Sequence, residues 1–573
     1  MSENTPVNTA PGSSEEELIA VRREKVSKIR DLGVNPYGGR FDITTTAGEI
    51  KADFEEGKQV KFLGRITALR DMGNTQFFTV GDVRGAIQCM LTKKSMEPEA
   101  WALWKLLERG DWVGIEGETF ITRTGEPSVR VASFKVLSKA LRPMPDKFHG
   151  LADMDMRYRR RHLDLMSNAE SADRFVKRSL IVQEIRQYLI NRGFLEVETP
   201  MLQDIAGGAS AKPFESYYNA LKKAVTLRIA PELFLKRLLV GGFPKVFELN
   251  RNFRNEGVDR RHNPEFTVLE VYEAGGDYET MAEMMEDMIC TVAEKVFGTL
   301  KFDQYDDNGN LRWTVDLTRP WRRADYNDLV KEVAGADWFD LTPEQRRDRA
   351  ENELHVQIGD DLNDTDVTQQ VYEKLIEEKQ ANPLFVCHVA RDLVPLAKAN
   401  PEDPSVVDVF ELVMNGQELC PGYSEQNDPV EQLERLQHQA GEDTQKIDYD
   451  FVETLESGMP SAGGIGIGID RLCMLMTGAS SIRDIILFPQ LKNRGYPPRK
   501  TSTAITFMPP RIPGRHFMCC AAGAGNSIHS TLLLPAEGVK GSLGIRGCPG
   551  GFSHGVDEQG DTGKDKGSGT SIP

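Results

Sequence analysis

The sequence predicts an α+β protein of more than one domain: a small β-barrel near the N-terminus, then a larger domain of helices around a mixed, mostly antiparallel sheet. Three observations predict it. The chain has 573 residues, more than one hydrophobic core organises. Residues 60–136 run as short alternating or apolar segments between Gly and Asn turns, a strand period, while the flanks carry helical spacing. The later strand candidates are dispersed between residues 195 and 468 with helices between them, which a doubly wound parallel sheet does not produce.

In chain order, residues 1–15 (MSENTPVNTAPGSSE) are polar and acidic, with little to bury, and are expected to be disordered. They lack the basic and apolar regions of a signal peptide. A segment at 16–58 opens with a helix over 16–35, whose stripe is Leu18, Val21, Val26 and Ile29 and whose stop is Gly33 with Pro36. Strands follow at 60–70, 75–82 and 85–92, then a helix near 99–110, then strands at 111–122 and 127–137. Three strands, a helix and two strands is the element order of an OB barrel, placed here at 59–140, a fold that often binds nucleic acid on one face.

A Pro-bearing connector, 141–172, leads to a second domain over 173–494. Its first helix is predicted at Asp173–Arg192, with Asp173 as N-cap and Ile181, Ile185 and Leu189 on one face. Strands are predicted at Leu195–Glu198, Lys245–Asn250, Glu265–Tyr272, Val407–Met414 and Gly464–Gly468, helices at Pro231–Val240 and Asp470–Met476, and a last strand-like run at Asp484–Pro489. Residues 495–573 are dense in Gly and Pro without either period, so disorder is expected there.

Composition excludes some functions. A net charge of −17 argues against a general polyanion binder, which needs Lys and Arg for phosphates. The charge is uneven: acidic stretches lie at 351–380 and 425–456, and a basic run, Arg157–Arg161, precedes the second domain. Eight scattered cysteines form no C-x-x-C pair, so neither a zinc site nor a disulfide framework is indicated. His516, Cys519 and Cys520 have poor spacing for zinc. No apolar run approaches the ~20 residues of a membrane span, and a cytoplasmic, reducing setting is expected.

Three segments carry chemistry. Gly193–Pro200 (GFLEVETP) follows a long helix. Arg251–Glu256 (RNFRNE), Arg260–Phe266 (RRHNPEF) and Leu269–Glu273 (LEVYE) read as a strand, a charged turn and a strand back, able to set Arg254 on a phosphate and Phe266 flat on a purine. Gly463–Arg471 (GGIGIGIDR) is a Gly-rich strand entering a helix, and it lacks the lysine of a P-loop. In this order and at these separations the segments resemble motifs 1, 2 and 3 of class II aminoacyl-tRNA synthetases. Leu141–Gly150 (LRPMPDKFHG), Gly207–Phe214 (GGASAKPF), Ile229–Leu233 (IAPEL) and Gly422–Asp428 (GYSEQND) resemble the lysyl-tRNA synthetases in particular.

That resemblance, over about residues 15–494, implies an N-terminal anticodon-binding OB domain, a catalytic domain, and a homodimer built partly on motif 1 with Pro200. It implies ATP-dependent activation of L-lysine and its transfer to tRNA(Lys), with Mg²⁺. By the same resemblance Arg254 grips the α-phosphate and the lysine carboxylate, and Arg471 clamps the far end of the triphosphate. Glu256, His262, Asn263 and Phe266 hold ATP. Glu411 and Glu418 ligate Mg²⁺, Gly208 and Glu232 receive the α-amino group, and Glu425 and Tyr272, with Glu270 nearby, receive the side-chain ammonium. Arg70, Phe77, Gln88 and Glu126 match anticodon-reading positions. Without the resemblance, Phe77 and Phe78 are both candidates for barrel core, one on each face. Pro421 stands where the family commonly has an Asn that donates to the lysine carboxylate, leaving that role to Arg254. An aspartyl- or asparaginyl-type enzyme shares the barrel and motifs, but Glu425 is the wrong charge for an acidic substrate. A non-catalytic nucleic-acid-binding relative would be expected to have lost Arg254, Glu256 or Arg471, and a protein lysyltransferase would be expected to lack the barrel.

Overall fold

The computed structural model describes residues 15–145, 151, 153–306, 308–359, 362–440 and 447–492. The expectations for residues 1–14, for 146–150 of the connector and for the 495–573 tail lie outside the described residues.

The N-terminal helix, Glu15–Asp31, buries Val26 and Ile29. Five strands, β1 (Gln59–Asp71), β2 (Thr75–Asp82), β3 (Gly85–Thr92), β4 (Trp112–Ile121) and β5 (Pro127–Ser138), close into a barrel in the order β1-β2-β3-β5-β4. The helix Pro98–Trp104 sits between β3 and β4, as the sequence predicts. Alternation decides which side chains fill the barrel: Phe62, Ile66, Phe78, Val80, Ile87, Leu91, Val113, Ile115 and Val129 point inward. Phe78 is 2% exposed and packs on Trp104, with ring centroids 4.3 Å apart.

Beyond the barrel run β6 (Leu195–Glu196), β7 (Leu202–Gln203), β8 (Glu215–Tyr218), β9 (Lys223–Leu227), β10 (Lys245–Phe253), β11 (Glu265–Ala274), β12 (Lys301–Tyr305), β13 (Leu311–Asp316), β14 (Arg322–Asp325), β15 (Leu384–Cys387), β16 (Val409–Met414), β17 (Gln417–Ser424) and β18 (Ala462–Gly468). Eight of them form one sheet in the order β14-β15-β16-β17-β18-β11-β10-β6. The pairs are antiparallel except β14 with β15 and β10 with β6. One face of this sheet packs on the helices Ala169–Asn191 and Tyr278–Phe297, burying Leu269, Val271, Ile465, Ile467, Phe410 and Leu412. The opposite face, freed of that role, carries the site.

Two expectations need correction. The helix predicted from Asp173 starts at Ala169 with Asn168 as N-cap; Asp173 lies within it and pairs with Lys177 at 2.7 Å. Asp484–Pro489 is not a strand: a short 3₁₀ turn at Ile482–Asp484 is followed by irregular chain. That chain is held by Arg161, whose buried guanidinium donates to the carbonyls of Arg483, Ile486 and Leu487. Arg157 is likewise committed, to Asp164 and Ser171, and Arg159 to Asp155, so these three arginines of the basic run tie the chain together. Each of the five described cysteines is buried and outside any disulfide. Among the described residues no helix is long and apolar enough to cross a membrane.

Candidate active site

A cavity of about 390 Å³ opens on the free face of the sheet. Antiparallel registry assembles it. β10 and β11 pair from Lys245↔Glu273 to Phe253↔Glu265, so the chain reverses through Arg254–Pro264 at the cavity rim. β11 pairs with β18, setting Glu270 opposite Gly466 and Tyr272 opposite Gly464. β17 flanks β18 on its other side, with Tyr423 opposite Gly464. The glycines are required here: a Cβ on Gly464 would lie 2.6 Å from the Tyr272 ring and would also strike the Glu425 carboxylate. Gly208, at φ +84°, lines the cavity where a Cβ would lie 3.0 Å from that of Glu232.

Of the residues singled out for ATP and lysine, Gly208, Glu232, Arg254, Glu256, His262, Asn263, Phe266, Glu270, Tyr272, Glu425 and Arg471 all line this one cavity, as does Glu418. Arg254 lies over the Phe266 ring, 5.2 Å from its centroid, and its buried Nε has no hydrogen-bond partner. Burial lowers the pKa of its guanidinium, offset by the Glu256 and Glu270 carboxylates. Arg471 donates to the Glu418 carbonyl at 2.6 Å and reaches His262 Nε2 at 3.4 Å, while His262 Nδ1 meets Asp259 at 2.8 Å. The cavity therefore has a cationic end.

The other end is acidic. Glu425 is 1% exposed; neither of its oxygens has a hydrogen-bond partner, though Oε2 lies in an ion pair 2.5 Å from Lys236 Nζ. Burial pushes its carboxyl up to about 8, with the Lys236 ammonium pulling down and the Glu232 carboxylate pushing further up. Tyr272 donates its hydroxyl to Glu270 at 3.0 Å. Burial and the Glu232 charge hold the Glu270 carboxyl well above the usual range.

Glu411 does not line the cavity; it lies cross-strand from Pro421, which does. Burial, then the charges of Glu418, Glu377 and Glu373, raise the Glu411 carboxyl well above normal. Glu377, which sequence reasoning missed, is itself pushed up to about 7 by burial and by Glu418 and Glu373. Crowded carboxylates with only oxygen donors suit a hard divalent cation such as Mg²⁺. Among the described residues no group of three or more His, Cys, Asp or Glu side chains forms a ready-made cage.

On the barrel, Arg70 and Phe77 are cross-strand partners, and Gln88 pairs with Thr79, two residues along from Phe77 on the same face. Phe77 is half-buried on the outer face while Phe78 is core, which resolves the ambiguity between them. Arg70 is exposed, Gln88 donates to Ser128 at 3.0 Å, and Glu126 is exposed in the β4–β5 turn.

Three buried supports escaped the sequence reading. Arg228 is fully buried; it bonds Glu248 at 2.6 Å and Thr199, fixing the end of motif 1 against β10. Asp470 accepts from Arg178 at 2.7 Å and from the Thr267 amide at 2.8 Å, joining the long helix to β11 behind the cavity. Lys236 pairs with both Glu232 and Glu425. Each is one half of a pair whose partner is distant in sequence or sits at i+4, a spacing that ordinarily marks a solvated helix face.

Comparison with known proteins identifies the family. Residues 153–492 match the family of class II tRNA synthetases (D, K and N), and residues 60–137 match the OB-fold nucleic acid binding domain. A lysine–tRNA ligase of Syntrophomonas wolfei is 45% identical over 486 residues, covering 83% of this chain and 97% of the relative. That of Carboxydothermus hydrogenoformans is 44% identical over 486 residues, with 83% and 98% covered. That of Staphylococcus aureus is 42% identical over 493 residues, again with 83% and 98% covered. With its barrel, its eight-stranded antiparallel-rich sheet and its cavity lined from motifs 2 and 3, the chain belongs to the class II tRNA synthetases of the D, K and N group.

Proposed function

We infer that this enzyme is a lysine–tRNA ligase: it condenses L-lysine with ATP to lysyl-adenylate and pyrophosphate, then esterifies lysine to the terminal ribose of tRNA(Lys). The observation that carries the choice of lysine is Glu425, a buried carboxylate with one oxygen free, at the end of the cavity opposite Arg254 and Arg471. A neutral or acidic side chain would leave that oxygen without a partner, at a cost of a few kcal/mol.

The shared place of the candidate ATP and lysine residues in one cavity supports the following roles. Arg254 and Arg471 flank the place where negative charge develops as the lysine carboxylate attacks the α-phosphorus and the bond to pyrophosphate breaks. Phe266 offers a ring face for adenine, and Glu256, His262 and Asn263 fix the nucleotide. Glu232 and Gly208 take the α-amino group, and Glu425 with Tyr272 takes the ε-ammonium, Glu270 orienting Tyr272. Glu411 and Glu418 would hold Mg²⁺, which supplies charge neutralisation for the phosphates. In the second step the tRNA hydroxyl attacks the activated carbonyl and AMP leaves; no protein nucleophile is needed. Arg70, Phe77, Gln88 and Glu126 would read the anticodon, Phe77 by stacking.

A homodimer is supported by exposed apolar side chains in and near motif 1: Leu180 and Ile190 on the preceding helix, Leu195 on β6 and Leu202 on β7, with β6 an edge strand of the large sheet. Sedimentation at micromolar concentration tests it; a monomer would refute it. Charging of a tRNA bearing a lysine anticodon tests the function itself. Incorporation of labelled lysine is expected, and its absence with active, folded enzyme would refute the assignment.

A further inference from the structure

The substrate is not the only ammonium group this pocket accommodates. Lys236, on the helix Glu232–Val240, has 0% exposure. Its ammonium donates to Glu232 Oε1 at 2.8 Å and to the Leu396 carbonyl at 3.5 Å, and forms an ion pair with Glu425 Oε2 at 2.5 Å. One oxygen of each carboxylate is thus taken by the protein's own cation. The other oxygens face the cavity: Glu232 Oε2 lies 3.6 Å from where a Gly208 Cβ would stand, and Glu425 Oε1 crowds the corresponding point at Gly464. A helix repeat sets Glu232 and Lys236 on one face, one turn apart. Only the return of the chain through Ser424–Gln426 brings in the second carboxylate.

Resting on the lysine-activating function proposed above, we propose that Lys236 is a positioning and specificity residue: it clamps one oxygen each of Glu232 and Glu425, so that the two remaining oxygens receive the two ammonium groups of lysine. Without it, two buried carboxylates would face each other uncompensated. They would repel, take up a proton, and become poor acceptors for an ammonium. The clamp also limits how far the Glu425 carboxyl is raised before substrate arrives. Burial and Glu232 push the Glu425 carboxyl up, and Lys236 is the one neighbour that pulls it back. The other titratable groups packed around this end are Glu270 and Tyr272 on β11 and Tyr423 on β17; the charges of Glu232 and Glu425 raise both tyrosines further. None of these can replace the Lys236 charge.

The test uses the full chain and lysine-dependent ATP–pyrophosphate exchange, comparing Lys236→Met, Glu425→Gln and the double variant over a range of pH. Lys236→Met is expected to raise the KM for lysine by about 10- to 100-fold, the size of one or two lost hydrogen bonds to charged groups. The KM for ATP should stay near wild type, and the acid limb of kcat/KM for lysine should move to higher pH by about one unit or more. In the Glu425→Gln background the same substitution should add much less, because the carboxylate it serves is gone. A lysine KM within about 3-fold of wild type with an unmoved pH profile would overturn the proposal, as would penalties that simply multiply in the double variant. A wild-type Glu425→Gln would instead sink the lysine-binding role of Glu425. If Lys236→Met does not fold, Lys236→Gln keeps two donors without the charge and carries the same pH test. A wild-type profile for it would also overturn the clamp.

Discussion

Glu425→Gln isolates the charge on which lysine selection rests. The substitution keeps the side chain's shape and exchanges one carboxylate oxygen for an amide nitrogen. Glu425 is 1% exposed, paired to Lys236 at 2.5 Å, and its Oε1 has no hydrogen-bond partner. Losing a charge-assisted hydrogen bond to an ammonium in such a place costs about 1.5–3 kcal/mol. At about 1.4 kcal/mol per decade, kcat/KM for lysine should fall by about 10- to 150-fold. Folding should not suffer comparably. The carboxyl is pushed up to about 8 in the folded protein, so its ionised form weakens the fold. The sign follows from linkage: a carboxylate with a raised folded pKa loses stability for the protein as pH rises from its unfolded value through about 8. A neutral amide removes that loss, and the melting temperature at pH 8 should be equal to or above wild type. The assay is lysine-dependent exchange with ATP varied in parallel, beside a thermal melt. Wild-type lysine kinetics, or a KM for ATP that rises in step with that for lysine, would refute the reasoning.

Three further outcomes are expected. Phe77→Ala should weaken tRNA charging by about 1–3 kcal/mol and leave adenylate formation intact, because Phe77 lies on the outer face of the barrel; exchange and charging falling together would make it structural. Lysine binding to the free enzyme at pH 7 should release protons, because Glu425 titrates near 8 when the pocket is empty and must be ionised to hold an ammonium; affinity should rise with pH up to about 8, and calorimetry in buffers of different ionisation enthalpy showing no proton release would contradict this. Pro421→Asn should lower the KM for lysine by up to about 10-fold by restoring a donor at the cavity wall, with the KM for ATP unchanged; an unchanged or higher KM for lysine would show that the carboxylate is already fully held by Arg254.

The barrel was legible strand by strand because its strands alternate or run apolar between turn signals, and Phe78 against Phe77 needed only the closure of the barrel to be decided. Motifs 2 and 3 were legible because their charged and glycine residues do local work. Strands β14, β15 and β17 of the large sheet were not. Leu384–Cys387 is a four-residue apolar run, buried throughout, whose period cannot be told from a helix turn. β17 hides behind Pro421, which sits inside a strand paired on both sides although it has no amide hydrogen to give. The start of the long helix was misplaced because Asp173 looks like a cap, yet four helical residues precede it. The supports of the site are buried ionic pairs, Arg228 with Glu248 and Arg178 with Asp470. Nothing in one local stretch distinguishes them from surface charge.

The central claim, that a buried carboxylate with one unpartnered oxygen, opposite two arginines, selects lysine, is tested most directly by ATP–pyrophosphate exchange with each of the twenty amino acids in turn. Lysine alone should drive strong exchange, since it alone brings a long side-chain ammonium to Glu425 while its carboxylate meets Arg254. Strong exchange with aspartate or asparagine, and none with lysine, would contradict the account.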